Sequence, residues 1–235
     1  LSRRLYLWGV LSADRIIAQT RQQKAALKER FGRESRLIRN ACEARSRPNA
    51  EREFVLWIGR LAAVKRPHLF LDLAEQFPNE TFRMIAPVVD DEANAIYGEL
   101  KERIRDLPNL AFIRGVALTD TWDCFERAKL LVSTSSAEGY PNTFMQALWT
   151  CTPVASYDYD LDGLLEKRDL GIYCTGPFSE FSERVGSLLS DEEALRIKGE
   201  NGRCFAEEAH DIRKNSDELA VFLREEVIGG GQGKA

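Results

Sequence analysis

The sequence predicts an α/β fold in which a parallel sheet is covered by helices on both faces. Short apolar runs alternate with longer segments of helical periodicity along most of the chain, which is the pattern of βαβ units. At 235 residues, the chain can bury one full core and part of a second. None of the apolar runs approaches the roughly 20 residues of a membrane span, so the short ones are interpreted as strands.

The first part of the chain predicts a small α/β fragment placed before the main sheet. Leu1, Leu5, Trp8 and Leu11 recur at helical spacing. Residues 14–20 are strand-like, and residues 21–31 are helical again before a glycine. The polar segment 44–53 then predicts a linker or an exposed turn.

Six apolar runs predict the strands of the main sheet, at residues 54–58, 81–85, 110–113, 130–132, 153–156 and 171–173. Helical patterns lie between them at 67–76, 91–106, 119–127, 142–149 and 179–189. Beyond Asp191 two more helices are expected, the first ending near Arg203 or Ala209 and the second covering 211–227. The glycine-rich residues 229–235 predict a flexible tail.

Composition and charge exclude several classes of function. The formal net charge is -4, whereas a nucleic-acid binder usually shows a basic balance or stripe. Five dispersed cysteines without CxxC spacing favour reduced cytosolic thiols over disulfides or zinc. The only histidines are His68 and His210, so a histidine-rich metal site is not predicted. We interpret both histidines as surface residues.

The loop after residues 54–58 carries the first candidate binding group. Ligands of open parallel sheets collect at the carboxyl ends of the strands. The sequence there is "GRLAAVK", in which Gly59 allows close backbone approach and is followed by Arg60 and Lys65. Arginine can grip a phosphate with two hydrogen bonds, and lysine supplies a compact charge.

The second candidate group is the stretch "SSAEGYPNTFMQAL" between a strand and a helix. A helix that opens at Asn142 or Thr143 presents unpaired amides, which suit an anion. Two cations and a helix N-terminus in one crevice predict a diphosphate site that needs no metal. Glu138, itself an anion, then needs a different partner.

The pattern "IGRLAAVKRP", followed downstream by "EGYPNTFMQAL" and "TPVASYD", resembles the carboxyl-terminal domain of retaining glycosyltransferases of the GT-B fold, family 4. The resemblance covers most of the chain. It implies a remnant of the amino-terminal domain with the interdomain connection over residues 1–40. A Rossmann-like nucleotide-sugar-binding domain over 41–210 and a carboxyl-terminal helix with a flexible tail over 211–235 would follow.

The resemblance also implies an activity and roles for residues. A sugar would pass from a nucleoside diphosphate sugar to a glycan or lipid-linked acceptor with retention of configuration, as in polysaccharide biosynthesis. Arg60 and Lys65 would hold the diphosphate and Glu138 would contact the sugar hydroxyls, so these three form the expected catalytic set. Further expected donor-binding residues are Gly59, Arg114 and Val116 beside the base, Gly139, Tyr140, Pro141, Asn142 and Thr143, and Gln146 at the ribose.

The sequence departs from the family pattern in two ways. Gln146 occupies the position of a second Glu, and an amide can still bond two hydroxyls without charge assistance. Simple helix surface is the alternative interpretation of this side chain. In addition, most of the amino-terminal domain that binds the acceptor is missing, so we expect the chain to bind nucleotide without transferring sugar.

Other interpretations remain open at this stage. Asp158, Asp160 and Asp162 in "YDYDLDG" have the spacing of the metal-holding aspartates of GT-A enzymes, although cleft lining is the interpretation we favour. A sugar-nucleotide epimerase or a noncatalytic nucleotide-binding module would share the same site. The resemblance otherwise implies a cytoplasmic enzyme without metal or cofactor, with peripheral membrane contact left open for the full-length protein.

Overall fold

The computed structural model describes residues 2–117 and 120–228. The chain divides into two compact units. One unit combines the residues up to Ala44 with those from Glu207 onwards, and the other covers residues 45–206.

The first unit is a small α/β fragment. It contains helices α1 (Ser2–Ser12) and α2 (Arg21–Phe31), and the short strands β1 (Ile17–Ala18) and β2 (Arg36–Leu37), which pair in parallel. The strand predicted over 14–20 is shorter in the structure. Thr20 is instead the N-cap of α2, where its hydroxyl accepts a hydrogen bond from the Gln23 amide at 3.0 Å.

The second unit is built on a six-stranded parallel sheet. Its strands are β3 (Phe54–Ile58), β4 (Phe82–Ile85), β5 (Leu110–Ile113), β6 (Ala128–Ser133), β7 (Val154–Tyr157) and β8 (Gly171–Cys174). Their order is β5-β4-β3-β6-β7-β8. The chain therefore builds outwards from β3 and then returns to place β6 beside it. This reversal makes the carboxyl ends of β3 and β6 the topological switch point, where open α/β sheets bind ligands.

Helices connect these strands and cover the sheet. They are α3 (Pro67–Gln76), α4 (Asp91–Asp106), α5 (Thr121–Glu126), α6 (Asn142–Trp149), α7 (Leu164–Lys167), α8 (Phe178–Leu189) and α9 (Glu192–Ala209), with a 3₁₀ turn at Ala63–Lys65. The predicted bounds of α3, α4 and α6 are confirmed. The sequence analysis missed the 3₁₀ turn and α7, which are each shorter than the window over which periodicity is read. Predicted residue Thr119 lies outside the described residues.

The core lies on both faces of the sheet. Residues 54–57 of β3 are all buried, as expected of a strand with helices on both sides. The largest fully buried side chains include Trp149, Phe70, Phe82, Phe125 and Phe144. Gly171 begins β8 where a Cβ atom would come within 1.8 Å of the Val154 carbonyl oxygen, so only glycine fits between these strands.

The carboxyl-terminal elements correct one sequence prediction. Helix α10 (Ile212–Phe222) and a π-helical turn (Leu223–Ile228) follow α9, and the predicted tail from Gly229 lies outside the described residues. His210 was interpreted as a surface residue, which is wrong because it is fully buried. Its Nδ1 lies 2.6 Å from the Asn40 carbonyl oxygen. Burial lowers the pKa of His210 to about 4, so the ring is neutral and donates through Nδ1.

Two further observations concern the chain as a whole. All five cysteines are free thiols. Within residues 2–117 and 120–228, helices long and apolar enough to cross a membrane are absent.

Candidate functional site

The switch point of the sheet brings two of the predicted residues together. Lys65 follows β3 and Glu138 follows β6, and the Lys65 Nζ lies 2.5 Å from the Glu138 Oε1. The side chains are 24% and 12% exposed, respectively. An ion pair this sheltered is screened less by water than a surface pair. The sequence stretches that carry the two residues are separated by three strands, and the crossover from β5 to β6 joins them.

The Lys65 loop is attached to the sheet through Thr134, the residue after β6. The buried Thr134 hydroxyl donates to the Lys65 carbonyl at 2.6 Å and accepts from the Trp57 indole at 3.1 Å. The Ser136 amide also donates to the Val64 carbonyl at 2.9 Å. These bonds fix the backbone of Lys65, so its ammonium group is presented from a rigid base.

The Glu138 loop is anchored on its other side by Tyr159. The Tyr159 hydroxyl donates to the Gly139 carbonyl at 3.0 Å, and its ring meets Phe144 edge-on at 6.0 Å between centroids. Burial first, and then the nearby carboxylates, raise the pKa of Tyr159, which keeps the hydroxyl a donor. Tyr140 and Pro141 are both buried beneath the same loop, so packing holds the turn that leads into α6.

Helix α6 begins at Asn142 as predicted, and Pro141 is its N-cap. The side chain of Pro141 makes no capping hydrogen bond, and the first turn of α6 carries no acidic residue. Asn142 is exposed and Thr143 half-buried. A helix N-terminus without a carboxylate cap keeps its positive potential for an anion.

A small cleft of about 10 Å³ lies at this point. Polar groups line one side and apolar strand residues line the other. The lining residues are Trp57, Ile58, Lys65, Leu131, Val132, Ser133, Ser135, Glu138 and Thr143.

Arg60 and Gln146 lie outside this cleft lining. Arg60 is exposed, and its side chain makes no hydrogen bond or ion pair with any residue in the described part of the chain. Gln146 is half-buried in the second turn of α6. Its backbone carbonyl accepts a hydrogen bond from the Thr150 amide at 3.2 Å. Gly59 closes β3 with its amide donating to the Ile85 carbonyl at 3.1 Å. Because Arg60 makes no such bond with the described residues, its guanidinium is available to a ligand.

Arg114 and Val116 follow the edge strand β5. The Arg114 guanidinium carbon lies 4.6 Å from the centroid of the Tyr97 ring. Two strand spacings separate β5 from β3, which puts these loops about 10 Å apart at the same edge of the sheet. This separation would suit a ligand that extends from the Lys65 loop to the β5 loop.

The acidic loop after β7 has a different arrangement from a metal site. The Asp158 carboxylate accepts from Arg66 at 2.7 Å and from the Thr175 hydroxyl at 2.9 Å. Burial raises the pKa of Asp160, and its Oδ1 is buried without a hydrogen-bond partner among the described residues. Across residues 2–117 and 120–228, no group of three His, Cys, Asp or Glu side chains is placed to hold a metal ion.

Sequence reasoning missed three residues at this site, namely Arg66, Thr134 and Tyr159. Arg66 donates to Thr134, Tyr157 and Asp158, whose positions lie 68 to 92 residues further along the chain. Partners this distant leave no local pattern. The left-handed backbone of Arg66, with φ 46°, is also invisible in a sequence that shows arginine where glycine would be expected.

The sequence of the chain matches a family of sugar-transferring enzymes. The family model described as "Glycosyl transferases group 1" matches residues 39–205. Among curated proteins, none matches the sequence.

Solved structures show a similar fold at low identity. Sucrose-phosphate synthase from Thermosynechococcus elongatus is 18% identical with a TM-score of 0.81, over 96% of this chain and 62% of that one. Anabaena Alr3699/HepE, solved with UDP-glucose, is 19% identical with a TM-score of 0.80, over 95% and 67%. A TarM mutant from S. aureus, solved with UDP, is 19% identical with a TM-score of 0.77, over 93% and 45%. The chain therefore spans between about half and two thirds of the proteins that it resembles.

Proposed function

The chain belongs to the glycosyl transferases group 1 family, and we propose that it forms the donor-binding part of an enzyme that transfers sugar from a nucleoside diphosphate sugar. Its six-stranded sheet has the Rossmann-like fold of the carboxyl-terminal domain of GT-B enzymes. The observation that carries the proposal is the sheltered Lys65–Glu138 ion pair at the switch point, beside a helix start without acidic residues in its first turn.

The diphosphate would replace Glu138 as the partner of Lys65. A carboxylate and a diphosphate are both anions, so one lysine cannot neutralise both fully. The unpaired Arg60 and the amides at the start of α6 supply the additional positive potential. Glu138 is then free to accept hydrogen bonds from hydroxyl groups of the sugar, next to the phosphate to which the sugar is attached.

The remaining donor contacts follow the edge of the sheet. We propose that Gln146 bonds the ribose and that the loop containing Arg114 and Val116 lies beside the base. Structures with the same fold were solved with UDP or UDP-glucose, so UDP is the first nucleotide to test.

The chemical step would break the bond between the sugar and the diphosphate and form a bond to an acceptor hydroxyl. We propose that Arg60, Lys65 and the helix amides stabilise the departing diphosphate, without a metal ion. Retention requires the acceptor to approach on the face from which the diphosphate departs. A glycan or lipid-linked acceptor would bind to a further domain, because the matched proteins are longer than this chain. The 235-residue chain alone should therefore bind donor without transferring sugar.

Isothermal titration tests the proposal directly. Purified chain is titrated with UDP, GDP, ADP, UDP-glucose and uridine. At least one nucleoside diphosphate should bind, and Arg60→Ala and Lys65→Ala should each weaken binding by about 1.5–3 kcal/mol, the range for hydrogen bonds to charged groups. Uridine binding should hardly change.

Lys129→Ala is the matched control, since Lys129 forms a similarly sheltered ion pair with Glu80 at 2.8 Å near the other end of the sheet. It should leave UDP affinity unchanged. Absence of binding by all nucleotides, or equal losses for Lys65→Ala and Lys129→Ala, would contradict the proposed function. Conversion of UDP-glucose into an epimer without acceptor would favour the epimerase interpretation.

A further inference from the structure

The loop after β7 contacts both of the loops that carry Lys65 and Glu138. We propose that Arg66, Asp158 and Tyr159 form a brace, in which these three positioning residues set the distance between Lys65 and Glu138. This inference rests on the proposed function for its effect on ligand binding. The brace itself is a set of contacts within the sheet unit.

Arg66 is the first arm of the brace. Its Nε donates to the Thr134 carbonyl at 2.7 Å, one terminal nitrogen donates to Asp158 at 2.7 Å, and the other donates to the Tyr157 carbonyl at 3.3 Å. The guanidinium also lies 4.7 Å from the centroid of the Tyr157 ring. Arg66 directly follows Lys65, and its side chain thus connects the Lys65 loop to the carboxyl ends of β6 and β7. The guanidinium donates from three separate nitrogens in one plane, whereas a lysine carries all its donors on a single nitrogen.

The backbone at both ends of this ion pair is unusual. Arg66 has φ 46° and Asp158 has φ 66°, both in the left-handed region, which glycine, asparagine and aspartate enter more readily than an arginine. Such conformations persist where surrounding contacts fix them. The Asp158 amide donates to the Cys174 carbonyl at 2.8 Å, so strand β8 helps to hold the backbone of Asp158 in place.

Tyr159 is the second arm. Its hydroxyl holds the carbonyl of Gly139, the residue directly after Glu138, at 3.0 Å. The Ser156 hydroxyl in turn donates to the Tyr159 carbonyl at 2.6 Å. Asp158 and Tyr159 are adjacent, so two neighbouring residues of one loop hold the two residues that follow Lys65 and Glu138. Fixed backbones at Lys65 and Glu138 lower the ordering cost when a diphosphate replaces Glu138 as the partner of Lys65.

Titration with UDP and amide hydrogen exchange test the brace on the whole chain. Arg66→Gly removes the side-chain clasp while making the left-handed backbone easier to adopt, and Asp158→Asn keeps a residue that tolerates positive φ. Each should weaken UDP binding about tenfold with little change in unfolding midpoint. In the Lys65→Ala background each should change UDP affinity less than about twofold, since positioning acts through Lys65.

Exchange reports the arms independently of any ligand. Arg66→Gly and Asp158→Asn should accelerate exchange in residues 63–66, and Tyr159→Phe should accelerate it in residues 136–140, each by about tenfold from one lost hydrogen bond. Exchange in α8 serves as the internal control.

The outcomes separate the two proposals. If the wild-type chain binds none of UDP, GDP and ADP, or Lys65→Ala binds them as tightly as wild type, the proposed function fails and the exchange rates alone decide the brace. Unchanged exchange in both loops overturns the brace. UDP affinity within twofold of wild type for Arg66→Gly and Asp158→Asn, or additive losses in the Lys65→Ala background, also overturns it, because a merely structural role would be additive.

Discussion

Arg52 and Lys65, at opposite ends of the main sheet, are held in opposite ways. At the amino end, Arg52 donates five hydrogen bonds, to the carbonyls of Phe125, Ala128, Thr150 and Cys151 and to the Thr152 hydroxyl. At the carboxyl end, Lys65 pairs with the Glu138 carboxylate, and the Arg60 side chain makes no hydrogen bond or ion pair with residues 2–117 and 120–228. A cation saturated by fixed backbone groups stabilises the fold. A cation paired with a single side-chain carboxylate can exchange that carboxylate for a ligand anion.

The largest expected effect is a loss of stability when the cation at the amino end of the sheet is removed. Arg52→Ala removes five hydrogen bonds to part-buried acceptors, and we expect a loss of about 3–5 kcal/mol in the free energy of unfolding. Urea denaturation measures it. The control is Arg196→Ala, whose ion pair with Glu193 spans one exposed helical turn and whose loss should change the free energy of unfolding far less. Equal losses for both variants would show that Arg52 is not a structural cation.

Like Arg52, His210 is held by a backbone carbonyl, and the pH dependence of the stability of the chain tests its contribution. His210 is fully buried on the Asn40 carbonyl, and burial lowers its pKa to about 4. Both folded and unfolded chains are neutral at this position above the unfolded pKa of about 6.5. As the pH falls below that value the unfolded chain binds the proton first, so stability falls.

The expected loss is about 2 kcal/mol between pH 7 and pH 5, measured by urea denaturation at each pH. His210→Asn retains an N–H donor for the carbonyl and should remove this part of the pH dependence. His68→Gln, at the exposed start of α3, is the control and should leave the dependence unchanged. The same slope in wild type and His210→Asn would contradict the assignment.

The smallest expected effect concerns the carboxyl end. Glu138→Gln removes the carboxylate that competes with a diphosphate for Lys65, so UDP should bind more tightly by about 0.5–1 kcal/mol. Calorimetric titration of UDP measures the change. Weaker binding would mean that the Glu138 charge is needed to hold Lys65 in place, and that the two ends of the sheet differ less than proposed.

The sequence predicted the sheet and its helices well because their signals are local. Pro67 at the start of α3 and Asp90 as the N-cap of α4 mark helix beginnings within one turn. The same signals failed for His210, whose neighbours in sequence are charged although the ring packs beside Asn40. The periodicity of helix α10 carries no information about the contact between His210 and Asn40.

The site was predicted only in part for the same reason. The resemblance assigned Lys65 and Glu138 to one site, and the structure places them 2.5 Å apart. The roles of Arg66 and Tyr159 depend on contacts with loops of other strands, which become neighbours only when the sheet forms. The acidic loop was interpreted as cleft lining or a metal site, whereas the structure shows Asp158 paired with Arg66.

The central claim is that the cationic end of the sheet binds a nucleoside diphosphate without a metal ion. The most direct measurement is calorimetric titration of UDP into the wild-type chain and Asp160→Asn, each with EDTA and with magnesium or manganese. We expect the same affinity under all conditions and for both proteins, because Arg60, Lys65 and the start of α6 supply the compensating charge. A strict requirement for magnesium or manganese that Asp160→Asn abolishes would contradict the claim and transfer the binding role to the acidic loop.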